Sequence, residues 1–351
     1  MLNQWTIEAP AYELETALRA ACDAKTKPLG SLGRLEELAI RLGLIQRTLS
    51  PDVQHPALLV FAGDHGLAKR GVSPYPQSVT TAMVRNFAHG GAAINVLSRE
   101  LGWHLTLVNS GTLEDTSFPG VIDRSLGKGT RDILEGPAMD SSTYEQALQM
   151  GADLVRSCKA QGAQVIAAGE MGIGNSSAAA LIAHALTDLP LERLVSRGAG
   201  CDDHQLKAKQ AILASVREKH GPLGNPDAVL QHFAGFEMVM AGGAMLEAAR
   251  LHLPFLVDGL IISSVALAVV KAQPQVLPYL IFAHRSSALG HDAILEHLGV
   301  KPLLDLDMRL GEGTGAALAL PLLKCAVALL RDMATFDSAD VARAEARLSL
   351  L

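Results

Sequence analysis

Two glycine-rich segments of the chain each carry a carboxylate. The first runs from Gly169 to Ser177 and contains Glu170. It follows an apolar run and opens an alanine-rich helical pattern, so its backbone N–H groups and the helix N-terminus could hold a phosphate. Its spacing matches neither a Walker A loop nor the dinucleotide fingerprint, and the Walker lysine is missing. Taken alone, a simple tight turn with a Ser or Asn cap explains this segment equally well.

The second segment, from Met308 to Gly315, places Glu312 between two glycines. Glycine on both sides lets the backbone approach a ligand closely. Arg309, three residues earlier, offers a planar fork that suits a phosphate or a carboxylate. The alternative is an ordinary loop whose glutamate favours the N-terminus of the following helix.

Other candidate side chains are less informative by themselves. Lys209 falls on a predicted helix, where a lysine is most often a solvated surface charge. Ser73 and Met83 follow the first predicted strand, in a segment whose Pro and Ser content predicts a loop. Asp64 and four histidines raise a metal hypothesis, but no close ligand pair falls on one helix face, so we expect no metal. The histidines are His65, His89, His284 and His291.

The pattern of apolar runs predicts an α/β fold. Short buried runs predict strands, and alanine-rich segments of helical period lie between them. Strands alternating with helices favour a mostly parallel, doubly wound sheet, and ligands bind such sheets beyond the carboxyl ends of the strands. The predicted strands are 57–62, 105–109, 164–169, 254–258 and 279–284, and the helices between them are 144–160, 176–185, 205–219, 238–251 and 262–271.

Both ends of the chain depart from this alternation. Helical patterns cover 12–22 and 32–48, with Ser31 as a possible cap for the second, and another helical stretch begins at 316. We expect these ends to pack together as a small helical unit. The stretch 316–330 is the most apolar, but its length and its Pro321 and Lys324 favour a buried helix over a membrane span.

Composition narrows the class of partner. The 351 residues are 49% hydrophobic and carry a formal net charge of −6, without a dense Lys/Arg run. Binding to nucleic acid or to an anionic membrane is therefore not expected, and a small molecule is the better partner. Four scattered cysteines predict reduced thiols, and an N-terminus without a signal-peptide pattern predicts a cytoplasmic protein.

Taken together, these motifs resemble the nicotinate-nucleotide–dimethylbenzimidazole phosphoribosyltransferase family over nearly the whole chain. The stretch Met308 to Leu318, with the sequence MRLGEGTGAAL, is the most specific part of the resemblance. The other matching segments are Lys27 to Glu36, Gly63 to Gly66, Gly169 to Gly172 with Asn175, Gly235 to Glu237, and Val257 to Gly259.

The resemblance implies an enzyme of cobalamin (vitamin B12) biosynthesis. Members transfer the 5-phosphoribosyl group of nicotinate mononucleotide to 5,6-dimethylbenzimidazole, releasing nicotinate and α-ribazole 5'-phosphate for the cobamide lower ligand. It further implies a homodimer without metal or cofactor. Its Rossmann-like α/β domain would span 50–310, and a small helical domain would combine 1–49 with 311–351.

Carried over by position, the resemblance assigns Glu312 as the catalytic carboxylate and Glu170 as a second catalytic residue. The remaining active-site positions would bind substrate. Those bordering the base would be Ser73, Met83, Met171 and Leu310, and those near the nucleotide would be Lys209, Gly172, Gly174, Asn175, Ser286, Arg309 and Gly311.

Three departures from the family pattern leave the preferred base open, so that adenine or a phenolic base is an alternative. They are Asn109-Ser110-Gly111, Ser286-Ser287-Ala288 and Met83. A nucleotide-binding carrier without catalysis is a further alternative. The sequence also leaves open whether the chain requires a second, related subunit. A nicotinamide-dependent oxidoreductase is disfavoured because no clean fingerprint follows the first strand.

Overall fold

A computed structural model describes residues 1–198 and 200–342, and its central feature is a six-stranded sheet within that part of the chain. All neighbouring strands are parallel, in the order 3-2-1-4-5-6. This order reverses direction between the first and fourth strands, where doubly wound folds bind ligands. The predicted fold class is confirmed. The strands are β1 (Pro56–Gly63), β2 (His104–Gly111), β3 (Val121–Asp123), β4 (Val165–Met171), β5 (Phe255–Val257) and β6 (Leu280–Phe282).

Helices connect and flank these strands, and a short parallel pair, β7 (His284–Arg285) and β8 (Leu304–Asp305), follows the sheet. The helices are α1 (Glu15–Asp23), α2 (Arg34–Ile45), α3 (Ser78–Ala88), α4 (Ala93–Leu101), α5 (Ser141–Ala160), α6 (Asn175–Thr187), α7 (Asp203–His220), α8 (Pro226–Phe233), α9 (Phe236–Arg250), α10 (Leu260–Ala272), α11 (His291–Leu298) and α12 (Thr314–Asp332).

Aliphatic and small side chains build the core. Every residue of β1 is buried, and α9 is buried at each position from Phe236 to Ala249. A helix that is buried all round belongs to the interior of its domain. α9 packs on α5 through two glycines: a Cβ on Gly151 would lie 1.9 Å from the carbonyl oxygen of Met240, and one on Gly243 equally close to that of Leu148. The two backbones therefore touch where only glycine fits.

The chain divides into two compact units. The larger comprises residues 1–8 and 55–320, and the smaller comprises 9–54 and the chain from 321 onward. Residues 1–8 belong to the larger unit because they bond to it: the Leu2 N–H donates to Asp227 (2.9 Å), and the Tyr279 hydroxyl donates to the Glu8 carbonyl (2.8 Å). Glu312 also lies within the larger unit.

In the smaller unit, segments from both ends of the chain pair with one another. The Thr26 N–H donates to the Ala334 carbonyl (3.0 Å), and the Lys25 ammonium donates to the Met333 carbonyl (2.7 Å). The predicted Ser31 cap was wrong. α2 begins after Gly33, and the Glu36 carboxylate accepts the N–H of Leu32 instead (2.9 Å).

Helix α12 is long and apolar enough to cross a membrane by length and composition, with a mean hydropathy of 1.5 over 18 residues. The length argument from the sequence was wrong, because the helix extends beyond 316–330 to 19 residues. About half of that apolar window, 56%, is buried inside the protein, and buried core helices of soluble proteins pass the same test.

The contact between α5 and α9 generates a first prediction. Gly243→Ala should lower the free energy of unfolding by about 1–3 kcal/mol, because the methyl group would overlap the backbone of Leu148. The measurement is the urea midpoint followed by circular dichroism. Gly224→Ala is the matched control, because a Cβ there meets open space. Equal midpoints for the two variants would contradict the packing described.

Candidate active site

The two glycine-rich segments meet at the end of β4. A Cβ on Gly169 would lie 2.3 Å from the main-chain carbon and oxygen of Glu312, so the two backbones are in direct contact. Gly311, Glu312 and Gly313 have φ values of 88°, 62° and 85°. A glutamate in this left-handed region costs on the order of 1 kcal/mol, so its surroundings must hold it there.

Glu170 holds this turn from the β4 side. Its carboxyl packs directly on the turn, since a Cβ on Gly311 would lie 2.5 Å from its Oε1, and the nearby backbone N–H of Glu312 acts to lower its pKa. The Asn175 side chain donates to the other oxygen. Burial, followed by the charges of Asp258, Glu237 and Glu312, raises the pKa of Glu170 well above its usual value. The protonated form of Glu170 is therefore favoured.

Glu312 points its carboxylate at the first turn of α4. Its Oε2 lies 3.5 Å from the backbone nitrogen of Ile94, which donates a long hydrogen bond. Burial raises the pKa of Glu312, and the Ile94 N–H opposes that shift only in part. A carboxylate with a raised pKa is a stronger base than a solvated one.

A third carboxylate, Asp258, lies directly after β5. Its Oδ2 accepts the N–H of Gly313 (3.2 Å), and its Oδ1 accepts the N–H of Ala316 (2.9 Å). The Nε2 atom of His284 lies 3.8 Å from Oδ1. The turn of Glu312 is thus bonded to the ends of both β4 and β5.

Lys209 is not the solvated surface lysine expected from its helix. It is 1% exposed, and its ammonium donates to the Ser176 hydroxyl (2.9 Å) and the Ser196 carbonyl (3.1 Å). Burial lowers the pKa of Lys209 to about 8. Among the residues that the structure describes, no carboxylate lies within 4.0 Å of this ammonium, so its charge has only neutral partners.

Ser176 lies in the first turn of α6, next to this ammonium. The residue before that helix, Gly174, has a φ of 103° and cannot cap with a side chain. Asn175 bonds to Glu170 instead of capping its own helix, which argues against the simple capped turn. The N–H groups of Asn175 and Ser177 donate to the carbonyls of Gly172 and Gly174 (3.1 and 3.0 Å), so it is the positive end of the α6 dipole beside a buried cation that suits an anion.

Three of the four histidines that raised the metal hypothesis are hydrogen-bonded within the protein. His65 contacts Glu237 (2.6 Å), and His89 contacts the carbonyl of Arg85 (2.7 Å). His291 accepts the N–H of Ser286 at Nδ1 (2.8 Å), and burial lowers its pKa to about 3, so it is neutral. Across the described residues, no group of three or more His, Cys, Asp or Glu side chains is arranged to hold a metal ion.

Of the residues predicted to border the base, Met171 directly precedes the Gly172–Gly174 turn, and Met83 lies on a helix that is bonded to it. Met83 is on helix α3, not in the predicted loop, because the loop ends at Gln77. Thr80, one turn before Met83, accepts the N–H of Ile173 (3.2 Å) and so joins α3 to that turn. Ser73, Met83 and Met171 are half-buried, while Arg309 and Leu310 are exposed.

Four of the predicted site residues, Lys209, Asn175, Glu170 and Glu312, are joined with Ser176, Gly313 and Asp258 in one connected chain of contacts at the strand ends. It runs from Lys209 through Ser176 and Asn175 to Glu170, Glu312, Gly313 and Asp258. Ser286 lies at its end, where a Cβ on Gly259 would be 3.5 Å from the Ser286 Cβ. Ser286 also lines an open cleft of about 570 Å³ that includes Arg285 and Asp307.

Sequence reasoning missed three participants. Asp258 follows a predicted strand, a signal that could have found its role. Ser176 belongs to the first glycine-rich segment but was not singled out. Ile94 acts through its backbone N–H, so its side chain gave no signal.

Asn109, where the chain departs from the family pattern, has a structural role. Its side chain accepts the N–H of Gly111 (3.0 Å) and donates to Asp123 (3.1 Å).

Comparison with known proteins shows the same relationship at three levels. A family model described as phosphoribosyltransferase matches residues 7–341. The nicotinate-nucleotide–dimethylbenzimidazole phosphoribosyltransferase of Ralstonia nicotianae is 50% identical over 93% of this chain and 94% of its own length. The protein of the same name from Dechloromonas aromatica is 48% identical over 98% of this chain and 100% of its own.

The fold agrees as well. The crystal structure of CobT from Thermus thermophilus superposes with a TM-score of 0.90 and 40% sequence identity, covering 95% of this chain and 100% of that one. With the matched family model and two full-length relatives, the chain belongs to the nicotinate-nucleotide–dimethylbenzimidazole phosphoribosyltransferase family.

Proposed function

We propose that this protein transfers the phosphoribosyl group of nicotinate mononucleotide to 5,6-dimethylbenzimidazole or a similar base, with Glu312 as proton acceptor. The products are nicotinate and α-ribazole 5'-phosphate. The observation that carries the proposal is the buried Glu312 carboxylate, fixed in a left-handed turn with a raised pKa. Such a group is suited to accept a proton from a bound ring nitrogen.

The transfer requires one proton acceptor. Breaking the bond between the anomeric carbon and the pyridinium nitrogen builds positive charge on the sugar, and nicotinate leaves with its ring nitrogen neutral. No general acid is needed on that side. On the other side, one benzimidazole nitrogen forms the new bond while the proton of the other passes to Glu312. A single displacement inverts the sugar, turning a β-nucleotide into an α-ribotide.

We assign Glu170 a supporting role in this step. Its raised pKa favours a neutral carboxyl, which is a weak stabiliser of positive charge on the sugar. It can instead pack against the turn and hold Glu312 in position. Sharing of one proton between the two carboxyls is the alternative, since the charge of Glu312 contributes to the shift.

Lys209, Ser176 and the N-terminus of α6 are the proposed phosphate site. The ammonium supplies charge, and the positive end of the α6 dipole, near Gly172, Gly174 and Asn175, adds to the attraction for an anion. The rest of the nucleotide would contact Ser286, Arg309 and Gly311. The base would lie against Ser73, Met83, Met171 and Leu310, whose methionine and leucine side chains suit a flat apolar ring.

We further propose that the protein acts as a homodimer in the cytoplasm on small molecules alone. This rests on the family resemblance and on the net charge of −6, which does not favour nucleic acid or an anionic membrane.

The function is tested by incubating the protein with nicotinate mononucleotide and dimethylbenzimidazole and separating the products by liquid chromatography. Release of nicotinate together with α-ribazole 5'-phosphate is the expected result. Binding of the nucleotide without product would support a carrier instead. Competition among several benzimidazoles, adenine and phenol then identifies the preferred base.

Glu312→Gln should lower kcat by about 10²-fold or more, because the amide cannot accept the proton. Nucleotide affinity, measured by calorimetry, should stay near that of the wild type. Glu145→Gln is the matched control, because Glu145 is exposed on α5. Near-normal turnover by Glu312→Gln would refute the assignment of the base.

Nucleotide affinity should fall as the pH rises above about 8, because Lys209 then loses the charge that holds the phosphate. Below that pH the ammonium is charged and the affinity is at its highest. Lys209→Met should bind more weakly at neutral pH and should lose this alkaline decline. Calorimetric titrations from about pH 7 to 9.5 measure both effects. An alkaline decline that persists in Lys209→Met would assign it to another group.

A further inference from the structure

Asp258 caps a helix that is not its own. It is 1% exposed at the end of β5, and its two oxygens accept the N–H groups of Gly313 and Ala316 at the start of α12. The first N–H groups of a helix have no partner within the helix. Gly313, directly before α12, has no side chain to offer them. The carboxylate of Asp258, which follows β5, accepts hydrogen bonds from this end of the helix instead.

This cap bears directly on Glu312. Gly313 is the next residue along the chain, and its N–H is one of the two groups that Asp258 holds. Glu170 packs against the residue before Glu312, since a Cβ on Gly311 would lie 2.5 Å from the Glu170 Oε1. The left-handed turn is therefore fixed from two sides by two carboxyl groups, one at the end of β4 and one after β5.

His284 supports Asp258 from the other side. Its Nε2 lies 3.8 Å from the Asp258 Oδ1, and its ring packs so tightly on α12 that a Cβ on Gly315 would lie 1.9 Å from it. Burial raises the pKa of Asp258, while His284 and three backbone N–H groups oppose that shift. The other carboxyl groups that face Asp258 are those of Glu170 and Glu312, and the charge of Asp258 raises the pKa of each.

We propose that Asp258, backed by His284, is a positioning residue that fixes the turn of Glu312 so that its carboxylate meets the proton of the incoming base. Its kinetic consequences rest on the proposed function, but the local geometry does not. Asp258 touches neither substrate in this proposal and acts through Glu312. Since a misplacement of about 1 Å can reduce turnover 10²-fold, the turn must be held closely.

Asp258→Asn is the first test. The side chain keeps its volume, but one oxygen becomes an NH₂ donor that faces the N–H of Gly313 or of Ala316. We expect kcat to fall about 10–100-fold, while KM for nicotinate mononucleotide changes much less. The acidic limb of the kcat–pH profile should also move, because the surroundings of Glu312 change. A merely structural loss would reduce the amount of active enzyme and leave KM and the pH profile as they are.

Amide hydrogen exchange gives a readout that needs no turnover. In Asp258→Asn, at least one of the amides of Gly313 and Ala316 should exchange faster than in the wild type, because the asparagine keeps only one acceptor oxygen for the two. If the wild type makes no α-ribazole 5'-phosphate, the proposed function fails, and faster exchange still supports the cap. Unchanged exchange together with unchanged kcat would overturn the positioning role.

Two further variants complete the design. Asp227→Asn is the matched control: its carboxylate also accepts two hydrogen bonds, from the Tyr144 hydroxyl and the Leu2 N–H (each 2.9 Å), but outside this network. It should keep the wild-type kcat and pH profile.

His284→Gln should shift the profile in the same direction as Asp258→Asn, and the two effects should not add in the double variant. If Asp258→Asn does not fold, His284→Gln carries the same measurements, and a wild-type profile in that variant refutes the proposal.

Discussion

The contact between the backbones at Gly169 and Glu312 is the constraint on which the rest of the site depends. Since no Cβ fits between them, the glutamate turn can lie directly on the end of β4. Glu170, the next residue on that strand, then meets the N–H of Glu312. Asp258 secures the following residue from β5. A larger residue at position 169 would separate the turn from both strands.

Backbone dipoles rather than basic side chains accommodate the acidic groups of the site. Glu312 lies at the N-terminus of α4, and Asp258 lies at that of α12. Helix N-termini stabilise negative charge without supplying a proton. A nearby Lys or Arg would hold the carboxylate of Glu312 in a low-pKa ion pair and weaken it as a base. Burial, followed by the charges of neighbouring carboxylates, raises the pKa values of Glu170 and Glu312, and the backbone N–H groups oppose these shifts only in part.

The sequence predicted the sheet because its strands are short apolar runs, and the position of Glu312 followed from the family motif. Other features depend on tertiary structure. Lys209 reads as a surface lysine on its helix, and only the packing of α7 shows that it is buried. The proline and serine residues before α3 favoured the prediction of a loop, although Met83 lies on that helix. Ile94 contributes a backbone N–H, which every residue except proline possesses.

The order of these elements along the chain affects its synthesis. Residue 312 follows all six strands of the main sheet, the α6 turn and Lys209 along the chain. A ribosome therefore completes the proposed phosphate site before it adds Glu312, the proposed proton acceptor. Domains of this kind begin to fold while the chain is still growing. A polypeptide released early, just short of the glutamate turn, would retain the proposed phosphate site and lack the proposed proton acceptor.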